Sequence, residues 1–130
     1  MSYRLTVEES DVFGKGKFAN AKGHTECVEF IQQATGAPAT TSWRAGLRVG
    51  DCRFGQILRG TAIATFDEGG RYPVDDLGRH AAIYLAHDTH AIHVMDQWNA
   101  QGEVKMRPIW FKRSRFTRRS NDGDTFYVIE

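Results

Sequence analysis

The sequence predicts an α+β fold, in which one N-terminal helix packs against an antiparallel sheet of about five strands. The helix is indicated by apolar residues that recur at helical spacing between residues 26 and 36. The strands are indicated by β-branched and aromatic segments in the second half of the chain, which are separated by turn residues. A helix followed by consecutive strands is typical of the α+β layout.

The predicted helix carries a cysteine, Cys27, in its first turn. Thr25 or His24 lies at the start of the helix, and Gly36 suits the position just past its end. The residues on its inner face recur at i, i+4 and i+7 and are Cys27, Ile31 and Ala34. Unpaired backbone N–H groups and the positive end of the helix dipole stabilise a thiolate in the first turn. Cys27 is therefore predicted to be a nucleophile, and the alternative is a half-buried structural thiol.

Five later segments predict the strands of the sheet. They cover residues 61–66, 80–86, 91–98, 103–111 and 125–130. The segment before them, residues 37–60, is predicted to be a loop with one short turn of helix near Trp43. The segment 67–79 is predicted to be a long polar loop, and the string HDTH a compact hairpin connection.

Size and charge predict a single domain and argue against two classes of partner. With 130 residues, of which 41% are hydrophobic, the chain is predicted to form one domain over residues 1–130. Its 17 lysines and arginines nearly balance its 16 acidic residues, so no overall charge favours nucleic acid or an anionic membrane. The basic string KRSRFTRR lacks an aromatic stacking platform, and we expect a solvated loop or a contact with an anionic polymer.

The N-terminal segment and the cysteine content predict where the protein is made. The chain begins with neither the basic region nor the apolar region of a secretion signal, and no apolar run approaches the length of a membrane span. We therefore expect synthesis as a soluble cytoplasmic protein without a signal peptide. The second cysteine, Cys52, is expected to pack beneath a loop, because a disulfide with Cys27 has little support without export.

His80 is the predicted base for Cys27. A nucleophilic cysteine needs a base, and that base needs a partner that orients it. His80 opens a strand directly after a loop, where a functional side chain can lie at the sheet edge while alternate residues bury the other face. A three-residue hairpin connection places His80 opposite Asp96, and a two-residue connection places it opposite Gln97. Both remain open as its partner, and a hydrogen-bonded histidine without a catalytic role is the alternative for His80.

Four strings carry a resemblance to a known family: TECVEFIQQATG, GTAIATF, HAAIYL and VMDQW. Together they resemble the papain-like cysteine hydrolases of the NlpC/P60 and CHAP type, which cleave peptide or amide bonds in bacterial cell walls. In that family a cysteine begins a helix, a histidine opens a strand, and a polar residue on the next strand orients the histidine. By this resemblance Cys27 matches the nucleophile, His80 the base and Asp96 the orienting residue. Arg79 stands where the family usually has glycine before the histidine.

The resemblance implies a cysteine peptidase or amidase that acts on peptidoglycan peptides and needs no cofactor. Gln97 and Trp98, which follow Asp96, are then expected to bind the substrate. A compact domain without a signal resembles the amidase effectors that are delivered into rival bacteria. This implies export to the periplasm of a target cell, by a contact-dependent secretion machine or a phage-type lysis route. It also implies an inhibitor (immunity) protein as a partner.

Three other functions remain open at this point. The first is a non-enzymatic binding module on the same fold, and the second is a cysteine protease or deamidase toxin that acts on proteins. The third is a metal site in the string HDTHAIH, which contributes His87, His90 and His93. We expect no metal, because no cysteine or carboxylate at a suitable spacing completes a tetrahedral set.

Overall fold

The computed structural model describes residues 2–12 and 18–130. One α-helix, α1 (Cys27–Thr35), packs on a six-stranded sheet in the described part of the chain. The strands are β1 (Ala45–Arg48), β2 (Ala62–Thr65), β3 (Ala81–His87), β4 (Ala91–Asp96), β5 (Lys105–Trp110) and β6 (Phe126–Ile129). Their order across the sheet is β1-β6-β2-β3-β4-β5, and all neighbouring pairs are antiparallel. The predicted α+β fold is confirmed.

The helix α1 begins at Cys27 itself. Its N-terminal capping position is held by Glu26, not by the expected Thr25 or His24, and the Glu26 side chain makes no capping hydrogen bond. The predicted end is confirmed: Gly36 has a φ of 76°, and its N–H donates to the Gln32 carbonyl at 3.0 Å. A left-handed residue of this kind ends a helix because the chain can no longer continue the helical path. Cys27 is therefore the first helical residue.

The sheet is covered on both faces, and the side chains of β3 alternate between the two cores. Ala81 and Ile83 pack in the core that includes α1, whereas Ala82 and Tyr84 pack in the core on the opposite face. This alternation follows from the period of two in a strand. His80, which precedes β3, shares the face of Ala82 and lies at the end of the strand.

The edge strand β1 falls in the segment 37–60, for which a loop was predicted, and this part of the prediction is wrong. The short turn of helix expected near Trp43 is present as Thr40–Ser42. β1 lies at the edge of the sheet and pairs only with β6, in an irregular register. The segment was predicted to be a loop because it contains glycines, one of which, Gly46, lies in β1. In the structure that glycine permits close packing, because a Cβ on Gly46 would lie 2.6 Å from Cγ of Glu130.

The β3–β4 hairpin has a register that the sequence did not predict. The connection contains three residues, 88–90, one position later than expected. A bulge between Tyr84 and Ala86 then shifts the pairing, and Ile83 pairs with Met95. Extended to the end of the strand, this register places position 80 opposite position 98 and not opposite 96 or 97.

The residue opposite His80 lies two positions beyond Asp96, the partner that the three-residue connection predicted. The size of this shift decides which side chain can reach His80. Side chains alternate with a period of two, so a shift of two positions keeps Asp96 on the same face as His80. Asp96 becomes a diagonal neighbour of His80, within reach of a long side chain. Gln97 points to the other face, toward α1.

Two sequence expectations outside the sheet can also be compared with the structure. Cys27 and Cys52 are free thiols, and Cys52 packs in the core on the face opposite α1, where its thiol donates to the Arg48 carbonyl at 3.4 Å. None of the helices in the described residues is long and apolar enough to cross a membrane.

Candidate active site

Three side chains from separate elements converge at the N-terminal end of α1. Cys27 comes from the helix, His80 from the residue before β3, and Asp96 from the last residue of β4. The His80 Nε2 atom lies 2.6 Å from Oδ2 of Asp96, so Nδ1 is the ring nitrogen left for the Cys27 thiol, which lines the same cleft as His80. His80 is 5% exposed and Asp96 is fully buried, so solvent does not screen their interaction. The structure brings together the three residues that the sequence predicted as catalytic.

The charge distribution favours a thiolate and an imidazolium at this site. Burial alone would raise the pKa of the Cys27 thiol, but the hydrogen bond and the charge of His80 outweigh it, so this pKa lies below its ordinary value. Burial opposes a charged His80, but hydrogen bonds to Asp96 and Cys27 raise the pKa of His80 to about 9. Both shifts favour the ion pair of thiolate and imidazolium, which is the form in which a cysteine acts as a nucleophile.

Two residues of the site were not predicted from the sequence. The Tyr72 hydroxyl lies 3.8 Å from Sγ of Cys27, and burial together with the Cys27 charge raises the pKa of Tyr72. Tyr72 thus stays protonated and can donate to the sulfur. Arg107 donates from Nε to Oδ2 of Asp96 at 2.8 Å, so this one oxygen binds both Arg107 and His80.

The other oxygen of Asp96, Oδ1, is buried and has no hydrogen-bond partner among the described residues. A fully buried carboxylate in an apolar strand requires a cation or several donors, and that requirement is the sequence signal that could have pointed to Arg107. No comparable signal marks Tyr72, which lies in the polar loop that precedes His80.

The prediction that Gln97 binds substrate is contradicted by its position. Gln97 is fully buried, and its amide is occupied by three backbone groups. Oε1 accepts from the Phe18 N–H at 3.0 Å, while Nε2 donates to the carbonyls of Phe18 at 2.8 Å and Glu26 at 2.9 Å. Gln97 therefore fixes the chain that leads into α1, and no part of it faces a ligand.

An open cleft of about 620 Å³ gives access to the thiol and the imidazole. Its walls include Cys27, Tyr72, Val74, His80 and Trp98. Trp98 lies beside the base, with a distance of 6.2 Å between the two ring centroids, and the Arg107 guanidinium lies 5.0 Å from the centre of the Trp98 ring. The thiol and the imidazole therefore face an opening to solvent, and Trp98 forms part of its wall.

The remaining histidines lie away from this cleft. His87 is buried, and its two ring nitrogens bind the Tyr84 hydroxyl at 2.6 Å and the Cys52 carbonyl at 2.9 Å. His93 pairs with Asp88 at 3.1 Å. In residues 2–12 and 18–130, no three His, Cys, Asp or Glu side chains are grouped so that they could hold a metal ion.

Comparison with known proteins identifies the family. Residues 5–129 match the family model described as domesticated amidase effector 2. The chain belongs to the domesticated amidase effector 2 family. The match covers nearly the whole chain and includes Cys27, His80 and Asp96. Membership in an amidase effector family confirms the predicted class of enzyme, although the family carries neither the NlpC/P60 nor the CHAP name.

Individual members of this amidase effector group resemble the chain at similar levels. The type VI secretion amidase effector 2 protein of Salmonella typhi is 35% identical over 134 residues, which cover 87% of this chain and 97% of the relative. Domesticated amidase effector 2 of Ixodes scapularis is 35% identical over 124 residues, covering 89% and 78%. A solved structure of type 6 secretion amidase effector 2 (Tae2) has a TM-score of 0.81 at 34% identity, with 97% of this chain and 93% of that chain covered.

Proposed function

We propose that this protein is a cysteine amidase that hydrolyses amide bonds in the peptides of bacterial peptidoglycan. The observation that carries the proposal is the position of His80, which lies between the Cys27 thiol and the buried Asp96 carboxylate at the wall of an open cleft. The family name supports an amide bond as the bond that is cleaved. The resemblance to papain-like cell-wall hydrolases supports peptidoglycan as the polymer that contains this bond.

The reaction begins with attack of the Cys27 thiolate on the carbonyl carbon of the scissile amide. The developing oxyanion is stabilised by the backbone N–H of Cys27, which points out of the first turn of α1. The His80 imidazolium then donates its proton to the departing nitrogen, the C–N bond breaks, and a thioester to Cys27 remains. Neutral His80 next removes a proton from water, which attacks the thioester and releases the carboxylate product and the thiolate.

Asp96 acts through His80 in this mechanism. Its carboxylate accepts from Nε2 and so directs Nδ1 toward the sulfur, and its charge favours the imidazolium that donates the proton. Arg107 holds the same carboxylate oxygen and restricts its position. Tyr72 donates toward the sulfur and Trp98 contacts the peptide along the cleft, whereas Gln97 has no direct role.

The names of the relatives also support a delivery route and a partner. We infer that the protein is exported by a type VI secretion machine to the periplasm of a target cell, where peptidoglycan is accessible. An enzyme of this kind endangers its own producer, so an immunity protein that closes the cleft is the expected partner. The cleft and its rim form the surface that such an inhibitor would cover.

Digestion of purified peptidoglycan, followed by mass spectrometry of the soluble products, tests the proposal. We expect new peptide fragments whose masses each account for the addition of one water per bond cleaved. Cys27→Ala is the matched control, because it removes the sulfur and leaves the apolar face of α1 intact. Absence of products with the wild-type protein, or the same products with Cys27→Ala, would overturn the proposed function.

A further inference from the structure

A second recess opens from the cleft beside His80, and nothing in the mechanism above uses it. It has a volume of about 360 Å³ and is lined by Arg79, His80, Trp98, Arg107, Ser120 and Asn121. Arg79, His80 and Trp98 also line the cleft that contains Cys27. A ligand whose amide bond lies at the sulfur can therefore extend a side group past His80 into this second space, which we call the arginine recess.

The charged side chains that line the arginine recess are cationic, and the Asp96 carboxylate lies behind one of them, Arg107. Two guanidinium groups line it, and no aspartate or glutamate among the described residues is part of its wall. Arg79 is exposed, and its hydrogen bond is a long one of 3.5 Å to the Asp75 backbone carbonyl. The Asp75 carboxylate is hydrogen-bonded to Arg119 at 2.9 Å and 3.2 Å, and it interacts with Arg79 only through its charge.

Arg107 is the second cation of the recess and is held rigidly. Its Nε is committed to Asp96, its planar group lies over Trp98, and its side chain is 24% exposed. The terminal nitrogens of such a group are oriented before a ligand arrives, which lowers the entropic cost of binding. Arg107 therefore presents a guanidinium held by two contacts, whereas Arg79 presents an exposed guanidinium with one long hydrogen bond.

A carboxylate is the group that fits these surroundings. Guanidinium groups bind carboxylates through paired, charge-assisted hydrogen bonds, and the Ser120 hydroxyl and Asn121 amide can add neutral ones. The acidic residue Glu26 lines the cleft but not the recess, so the field favours an anionic group on the recess side. Peptidoglycan stem peptides carry free carboxyl groups on their glutamate and diaminopimelate residues, close to their amide bonds.

We infer that the arginine recess binds a carboxylate of the substrate peptide and so selects stem peptides with free carboxyl groups over amidated ones. The inference rests on the proposed function for the identity of the substrate. Selection by the recess can nevertheless be tested by measuring peptide binding, without measuring cleavage.

Isothermal titration of the Cys27→Ala protein with two peptides measures the selection without turnover. One is the stem tetrapeptide with free carboxyl groups, and the other is the same peptide with these groups amidated. We expect the free acid to bind roughly fivefold more tightly, which corresponds to the upper end of the range for a partly exposed ion pair. Adding Arg79→Gln should weaken binding of the free acid alone, Arg79→Lys should restore part of it, and added salt should reduce the preference.

Arg115→Gln is the matched control, because it removes the same charge from an exposed arginine that lines neither the cleft nor the recess. It should leave both affinities unchanged. Three outcomes would overturn the inference that the recess binds a carboxylate. They are equal binding of the two peptides, binding of neither peptide, and the same loss of affinity with Arg79→Gln and Arg115→Gln. Cleavage of peptidoglycan by the wild-type protein would still stand in each of these cases, and its absence would count against the proposed function separately.

Discussion

Replacement of Asp96 by asparagine tests how the buried carboxylate supports the base. A pKa of about 9 for His80, in place of the ordinary 6.5, means that the site stabilises the imidazolium by roughly 3 kcal/mol. Apart from the burial that opposes it, the hydrogen bond to Asp96 is the largest influence on this pKa. Asp96→Asn keeps the shape of the side chain and removes its charge, so the part of that stabilisation that comes from Asp96 should disappear.

The expected result is a loss of about 30- to 150-fold in kcat, which corresponds to about 2–3 kcal/mol in the barrier. KM should change little, because Asp96 is fully buried and does not touch substrate. The pH profile should change as well. Wild-type activity needs a charged His80 and declines as pH rises through about 9, whereas in Asp96→Asn burial dominates and this decline moves to lower pH.

Steady-state kinetics on a soluble peptidoglycan peptide, repeated across pH, supply both readouts. Circular dichroism of the variant shows whether the fold is retained, which matters because Arg107 loses its anionic partner. A kcat within about threefold of wild type, together with an unchanged alkaline limb, would refute the role of Asp96 in orienting and charging His80.

Three further predictions follow from the geometry of the site. Iodoacetamide should modify Cys27 much faster than Cys52 near neutral pH, as read by peptide mapping, because the pKa of the Cys27 thiol is lowered and that of Cys52 is raised by burial; equal rates would contradict an activated thiol. Gln97→Ala should lower the free energy of unfolding in urea by about 1–3 kcal/mol, because three backbone groups lose their partner; an unchanged midpoint would show that these bonds add nothing. Tyr72→Phe should slow alkylation of Cys27 by about twofold to tenfold, since it removes one donor to the thiolate, and a faster reaction would mean that the hydroxyl hinders the sulfur.

Local sequence patterns predicted the elements of this fold well. The spacing of Cys27, Ile31 and Ala34, with Gly36 behind them, was sufficient for α1, because a helix is specified by contacts within a few residues. The strand β1 was missed because its glycine is explained only by the nearness of Glu130 at the other end of the chain. A contact between residues so far apart in the chain cannot be read from a short stretch of sequence.

The candidate site was predicted in its residue types but not in its geometry. Cys27 and His80 were chosen from their places at the starts of elements, and Asp96 from a hairpin register and a family resemblance. The structure brings all three together. The register behind the choice of Asp96 was wrong, since a bulge in the middle of β3 is invisible to a count of hairpin residues. Arg107 was not predicted as a site residue, because its contact with Asp96 depends on the pairing of β4 with β5.

The neighbours Asp96 and Gln97 point to opposite faces at the end of one strand, and together they give the nucleophile and the base a common reference point. Asp96 fixes the imidazole on one side, and Gln97 holds the Glu26 carbonyl, one residue before the cysteine, on the other. Two adjacent residues thus fix the positions of the Cys27 thiol and the His80 ring, although 53 positions of chain separate Cys27 from His80. The two contacts of Asp96 and Gln97 do not depend on the length of the intervening loops, although the loop that carries Tyr72 contacts the sulfur. Such loops can be remodelled for a new substrate or inhibitor while the reacting atoms keep their alignment.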